Sequence, residues 1–242
     1  MESNGIKAIL LDLDNTLIDT AGAHRVAIQK VEALLGTRFG QDDIGKICKG
    51  FELKLLQETY NPSGGESIDQ VRVTHWQEAI REAGSAEPDG TLATECYSMW
   101  KNSRLEQLAI PGPVWDLLKD LQKTHKLLLL TNGVSQTQWE KIRAVRCEEL
   151  FQAMVVGGDH AEDKPAPSIF QHCFTLLGVG PRDCVMVGDS LDTDILGGVN
   201  AGVRATVWVN ANGREIPPGV SVKPDYTVTT VLELPTILST LK

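Results

Sequence analysis

The chain has 242 residues, of which 42% are hydrophobic and 23% charged, with a formal net charge of −9. That length builds one large α/β domain or a core with a smaller second unit, and the composition is ordinary for a soluble globular protein. An acidic chain without a basic block excludes nucleic acid and anionic membrane as partners, because both require a positive footprint.

The first element is a strand, AILL at 8–11, which runs into Asp12 and Asp14. Two like charges that close repel each other unless something positive stands beside them. From 18 to 108 the pattern turns helical, in HRVAIQKVEALLG, DIGKICKGFELKLLQETY, QVRVTHWQEAIREAG and LATECYSMWKNSRLEQL. In the last of these Leu92, Cys96, Met99, Trp100 and Leu105 recur at helical spacing. The breakers GTRFG, NPSGGES and GSAEPDG separate the four segments. A helical bundle over 18–108 is therefore expected, inserted between core pieces 1–17 and 109–242.

Beyond Pro111 helices and strands alternate. VWDLLKDLQKT leads to a strand KLLLLTNG, then a helix QTQWEKIRAV and a strand AMVVGG. A helix IFQHCFTLLG, a strand DCVMVGDS, a helix DILGGVNAG, strands RATVWVN and YTVTT and a closing helix VLELPTILSTL follow. Short strands that are apolar on both sides, alternating with helices, predict a doubly wound, mainly parallel α/β sheet. Five scattered cysteines without a CxxC predict free, buried thiols in a reducing compartment. Glu2 precedes a short strand without a small-residue cleavage site, and no apolar run is long enough to cross a membrane. A cytoplasmic monomer or weak oligomer is expected.

In doubly wound sheets ligands sit beyond the carboxyl ends of the strands. Those ends carry Asp12 and Asp14, then Thr131-Asn132-Gly133, then Lys164, then Asp189 with Asp192 and Asp194 close behind. Each alone has an ordinary reading as a cap, a turn or a solvated charge, and GDSLDTD lacks the spacing of an EF-hand calcium loop. Together, in this order, they favour function. Strand geometry turns Asp12 and Asp14 to one side, and Asp189 arriving from another strand completes an all-oxygen site suited to Mg²⁺. Thr131, Asn132 and Lys164 supply donors for phosphate oxygens. Phosphoryl transfer needs mainly positioning and charge neutralisation, which this set offers.

The segments DLDNTL, LLTN, KPAPSIF and VGDSLDTD resemble, in order, the four motifs of the haloacid dehalogenase superfamily. The helical insert is similar to the cap of the family's small-molecule phosphatases, and HWQEAI and ECYSMWKNSRL extend that likeness to members acting on phosphorylated sugar acids. The resemblance implies Asp12 as nucleophile and Asp14 as general acid and base. It implies Mg²⁺ on the Asp12 side chain, the Asp14 carbonyl and Asp189. It also implies a phosphate cradle from the N–H groups of Leu13, Asp14 and Asn15 with Thr131, Asn132 and Lys164, and Asp194 behind Lys164 or a metal-bound water, with Asp192 a weaker candidate. An acid at position 14 separates the phosphatases from the dehalogenases, which lack it. In the insert Arg72, His75, Lys101 and Arg104 offer cations for a substrate carboxylate but read more readily as solvated helix faces, and Trp76 and Trp100 read as bundle core rather than a sugar-stacking platform. A broader sugar-phosphate or phosphoglycolate phosphatase, a phosphomutase and a non-catalytic relative remain open alternatives.

Overall fold

The computed structural model describes residues 5–84 and 90–241, so most of the breaker GSAEPDG lies outside the described residues. The chain divides into two units, Met1–Asp19 with Ala109–Lys242, and Thr20–Leu108.

Strand β1 (Ala8–Leu11) opens the first unit, and all four of its side chains are fully buried. Four helices then make up the second: α1 (Thr20–Leu35), α2 (Gln41–Leu56), α3 (Ile68–Glu82) and α4 (Gly90–Gln107). Helix α3 starts at a capping box, in which Ser67 Oγ accepts from the Gln70 N–H and the Gln70 side chain accepts from the Ser67 N–H. Its core stacks Phe51 on Trp76, ring centroids 3.9 Å apart, with Trp100 edge-on to Phe51 at 5.2 Å. Trp76 and Trp100 are thus bundle core.

The chain then adds α5 (Gly112–Leu121), β2 (Lys126–Thr131), α6 (Ser135–Val145), β3 (Ala153–Val156), α7 (Pro167–Leu177) and β4 (Cys184–Gly188). A one-turn π-helix (Leu191–Ile195) runs into α8 (Leu196–Ala201), followed by β5 (Ala205–Val209), β6 (Tyr226–Val228) and α9 (Leu234–Thr240). Helix α7 begins on Pro167, whose missing N–H costs nothing there, and stops at Gly178 in the left-handed region.

The six strands form one sheet in the order β3-β2-β1-β4-β5-β6, and every pairing is parallel. The expected doubly wound α/β architecture with a helical insert is therefore present. Ala8 pairs in register with Lys126 on one side and Cys184 on the other, so β1, β2 and β4 start level, and β2 runs two residues beyond the end of β1. Strand order reverses between β1 and β4, the switch point at which such sheets open a crevice. Beneath it Leu10, Leu128, Leu130 and Met186 pack with Ile169, Phe170 and Phe174 of α7. All five cysteines are free and buried, and burial pushes each thiol up to about 12. Among the described residues no helix is long and apolar enough to cross a membrane.

Candidate active site

Asp12 follows β1 directly, and its N–H continues the ladder to the Val187 carbonyl at 2.9 Å. The chain then reverses tightly. Asn15 takes φ +57°, a conformation asparagine tolerates better than most residues, and its N–H donates to the Ile18 carbonyl. The N–H groups of Leu17 and Ile18 both return to the Leu13 carbonyl, while the Leu13 side chain is buried in the core. This turn brings Thr16 back to Asp12, whose Oδ2 accepts from Thr16 Oγ1 at 3.2 Å.

The other Asp12 oxygen meets Lys164. Lys164 Nζ lies 2.8 Å from Asp12 Oδ1, 2.6 Å from Asp194 Oδ1 and 2.7 Å from the Leu130 carbonyl, and the lysine is only 2% exposed. Three acceptors saturate the three protons of the ammonium. Burial alone would lower the Lys164 pKa, but Asp12 and Asp194 outweigh it, so its pKa is raised and the group stays charged. Asn132 clamps the same loop: its Nδ2 donates to the Lys164 carbonyl at 2.8 Å and its Oδ1 accepts the Lys164 N–H at 3.0 Å.

Asp189 and Asp194 arrive from the end of β4. The Asp189 carbonyl accepts from Trp208 Nε1 at 2.9 Å and from Arg214 Nη2 at 3.2 Å, which fixes the backbone there. The π-turn swings Asp194 back until its Oδ2 accepts the Ser190 N–H at 3.0 Å. A Cβ at position 188 would stand 2.2 Å from the Asp194 carboxylate, so only glycine admits this approach. Asp192 is exposed on the same turn.

Oxygens of Asp12, Asp189 and Asp194 lie within 4.8 Å of one another. Burial, the Lys164 charge working against it, and the nearby Asp194 and Asp14 together raise the Asp12 pKa to about 7. Burial and Asp194 raise Asp189 to about 6 against the pull of Arg214 and Lys164. One ammonium does not offset this crowd of carboxylates. A hard divalent cation with oxygen ligands would, and the donor set fits one. Both Asp194 oxygens are engaged by Lys164 and Ser190, as both Asp12 oxygens are by Lys164 and Thr16. Thr131, at the end of β2, has a buried hydroxyl with no hydrogen-bond partner among the described residues, as an anion site would leave it.

Asp14 is held apart from this group. Lys141 Nζ lies 2.7 and 2.6 Å from its two oxygens, and Gln138 Nε2 donates to Oδ2 at 3.0 Å. Neither residue was anticipated from the sequence, nor was Thr16. The available signal was on α6, where Gln138, Lys141, Ile142 and Val145 share a buried face. Two polar residues on an otherwise apolar helical face mark a buried partner elsewhere. In the helical unit Arg72, Lys101 and Arg104 have local partners, and His75 Nε2 stands beside the one Arg72 uses, without a hydrogen bond among the described residues. Arg72 forks onto Glu58 at 2.9 and 3.2 Å, His75 Nε2 is 3.3 Å from the same carboxylate, Lys101 pairs with Asp69, and Arg104 lies over the Trp100 ring.

A parallel sheet whose central strand ends in Asp-x-Asp, flanked by a buried Thr, a buried Lys and a returning Asp, defines a class of hydrolases. A family model for haloacid dehalogenase-like hydrolases matches residues 6–202, and the chain belongs to that family. It is similar to N-acylneuraminate-9-phosphatase of Mus musculus and of Homo sapiens, 48% identical to each over 237 residues, covering 98% of this chain and 95% of each relative. With that similarity over nearly the whole of both chains, it is a phosphatase of the family. A crystal structure of the Bacillus subtilis protein YfnB bound to magnesium superposes with a TM-score of 0.70 at 25% identity, over 97% of this chain and 99% of that one.

Proposed function

We propose that this phosphatase hydrolyses an N-acylneuraminate 9-phosphate to the free sugar acid through a phosphoaspartate on Asp12. The observation that carries the mechanism is Asp12 itself, buried at the strand end on Lys164, with a second carboxylate two residues on. The substrate rests on the mouse and human relatives, whose named activity this is.

An Asp12 oxygen attacks phosphorus while the bond to the leaving-group oxygen breaks, and the leaving-group oxygen takes a proton from the Asp14 carboxyl. Water then attacks phosphorus, its proton passes to the Asp14 carboxylate, and the bond to Asp12 breaks. The Thr131 hydroxyl and the N–H groups of Leu13 and Asp14 hold the phosphoryl oxygens, and the Lys164 ammonium beside Asp12 offsets their charge. Asn132 contributes by clamping the Lys164 loop, and the Asn15 N–H, turned to Ile18, by holding the reversal after Asp14. Asp194 orients Lys164. The side chains of Asp12 and Asp189 and the Asp14 carbonyl would hold Mg²⁺, which would supply charge neutralisation at the transferring group.

The test is a panel of phosphomonoesters with Mg²⁺ and with a chelator. The highest kcat/KM is expected for the nine-carbon acid, with no turnover after chelation. A higher kcat/KM for a small sugar phosphate or phosphoglycolate would overturn the substrate, and full turnover in chelator would overturn the metal.

A further inference from the structure

Helix α6 carries a pair of side chains that the four-motif reading does not use. We infer that Lys141 and Gln138 are positioning residues for Asp14, holding its carboxylate in the orientation from which it exchanges protons with the leaving group and with water. The inference rests on the hydrolytic reading above.

The geometry is a two-point hold. Lys141 reaches both Asp14 oxygens at 2.7 and 2.6 Å, and Gln138 Nε2 reaches Oδ2 at 3.0 Å, so the plane of the carboxylate is set as well as its place. Lys141 is 4% exposed, and a buried ammonium is costly unless an anion faces it. The two donors sit one helical turn apart on the same face.

Gln138 is anchored in turn. Its Nε2 also donates to the Asn132 carbonyl. Gly133, at φ +117°, makes room for it: a Cβ there would approach Nε2 to 2.8 Å. Thr131 and Asn132 end β2, Gly133 turns the chain and α6 begins at Ser135. A single stretch of chain thus offers the phosphate hydroxyl and orients the proton-transfer group. A general acid acts only when its proton is aimed at the departing oxygen, so orientation is what such a hold would secure.

Leaving-group chemistry separates this role from a structural one. Benzyl phosphate expels an alkoxide that needs a proton as the bond breaks, whereas p-nitrophenyl phosphate expels a stable phenolate that does not. The experiment measures alcohol release in a single turnover, with enzyme and Mg²⁺ in excess, for wild type, Lys141→Met, Lys141→Arg and Gln138→Leu. In Lys141→Met the benzyl rate should fall on the order of 100-fold, and the nitrophenyl rate at least about tenfold less than that. Lys141→Arg, which keeps the cation, should recover most of the benzyl rate, and Gln138→Leu should fall between. The ratio of the two rates within one preparation does not depend on how much of the variant is folded. An unchanged ratio in Lys141→Met, whether both rates fall or neither does, would overturn the positioning role while leaving the phosphatase reading intact. A wild-type enzyme that cleaves neither of these esters nor an N-acylneuraminate 9-phosphate would overturn both.

Discussion

At Asp12 two influences oppose each other: burial with neighbouring carboxylates favours the neutral acid, and the Lys164 ammonium at 2.8 Å favours the anion a nucleophile must be. The repulsion implied by Asp-x-Asp is therefore met before any metal arrives, by a separate lysine for each carboxylate: Lys164 for Asp12 and Lys141 for Asp14. Truncating Lys164 leaves Asp12 and Asp194 buried around a missing cation. Lys164→Met should cost about 3–5 kcal/mol of stability, the penalty of breaking a buried ion pair from one side. Urea unfolding at neutral pH without Mg²⁺ measures it, and a midpoint equal to wild type would refute the account. The two lysines were unequally legible. Lys164 follows a strand in chain order, which drew attention to it as a donor. Lys141 sits mid-helix, where a charged residue reads as solvent-facing until the burial of its neighbours is known.

Among elements, β4 with the π-turn after it is the least forgiving. The short helix expected at DILGGVNAG is present, but the turn leading into it is wider than an α-turn, and i→i+5 spacing leaves no familiar periodic trace in a sequence. That turn returns Asp194 onto the backbone of Gly188. Gly188→Ala should therefore displace the Asp194 carboxylate, release one of the three acceptors of Lys164 and lower kcat. Overpacking of this kind costs about 1–3 kcal/mol. Thermal unfolding and single-turnover rates measured together check it, and a wild-type rate would show that Asp194 need not be where it stands. The strands were easier to read, because runs apolar on both sides have few alternatives to a central parallel sheet.

For the molecule as a whole the consequence of crowded carboxylates is a pH-dependent stability. Asp12 and Asp189 ordinarily titrate at 3.8, but in the folded chain they hold protons to about 7 and about 6. Between those limits the folded state binds more protons than the unfolded one, so metal-free stability falls as pH rises through the window. A cation that replaces those protons reverses the trend. The melting temperature without metal should drop between about pH 4 and pH 7, and Mg²⁺ should raise it at the higher pH and barely at the lower. A Mg²⁺-induced rise as large at low pH as at high would contradict it. The net charge of −9 sharpens the same point, since an acidic protein that handles phosphate must build positive charge locally. The order of elements was readable at this scale because helical and strand periodicities differ. Which residues meet across the sheet edge became plain only from the register.

The position of β1 also bears on how the chain is made. It is made before the other five strands, yet it lies between β2 and β4, and neither exists until helices α1 to α5 have left the ribosome. Until then a wholly apolar segment waits with both edges open, the condition under which strands find the wrong neighbour. The chain is most exposed to misassembly in that interval, and a factor that shelters β1 would act there.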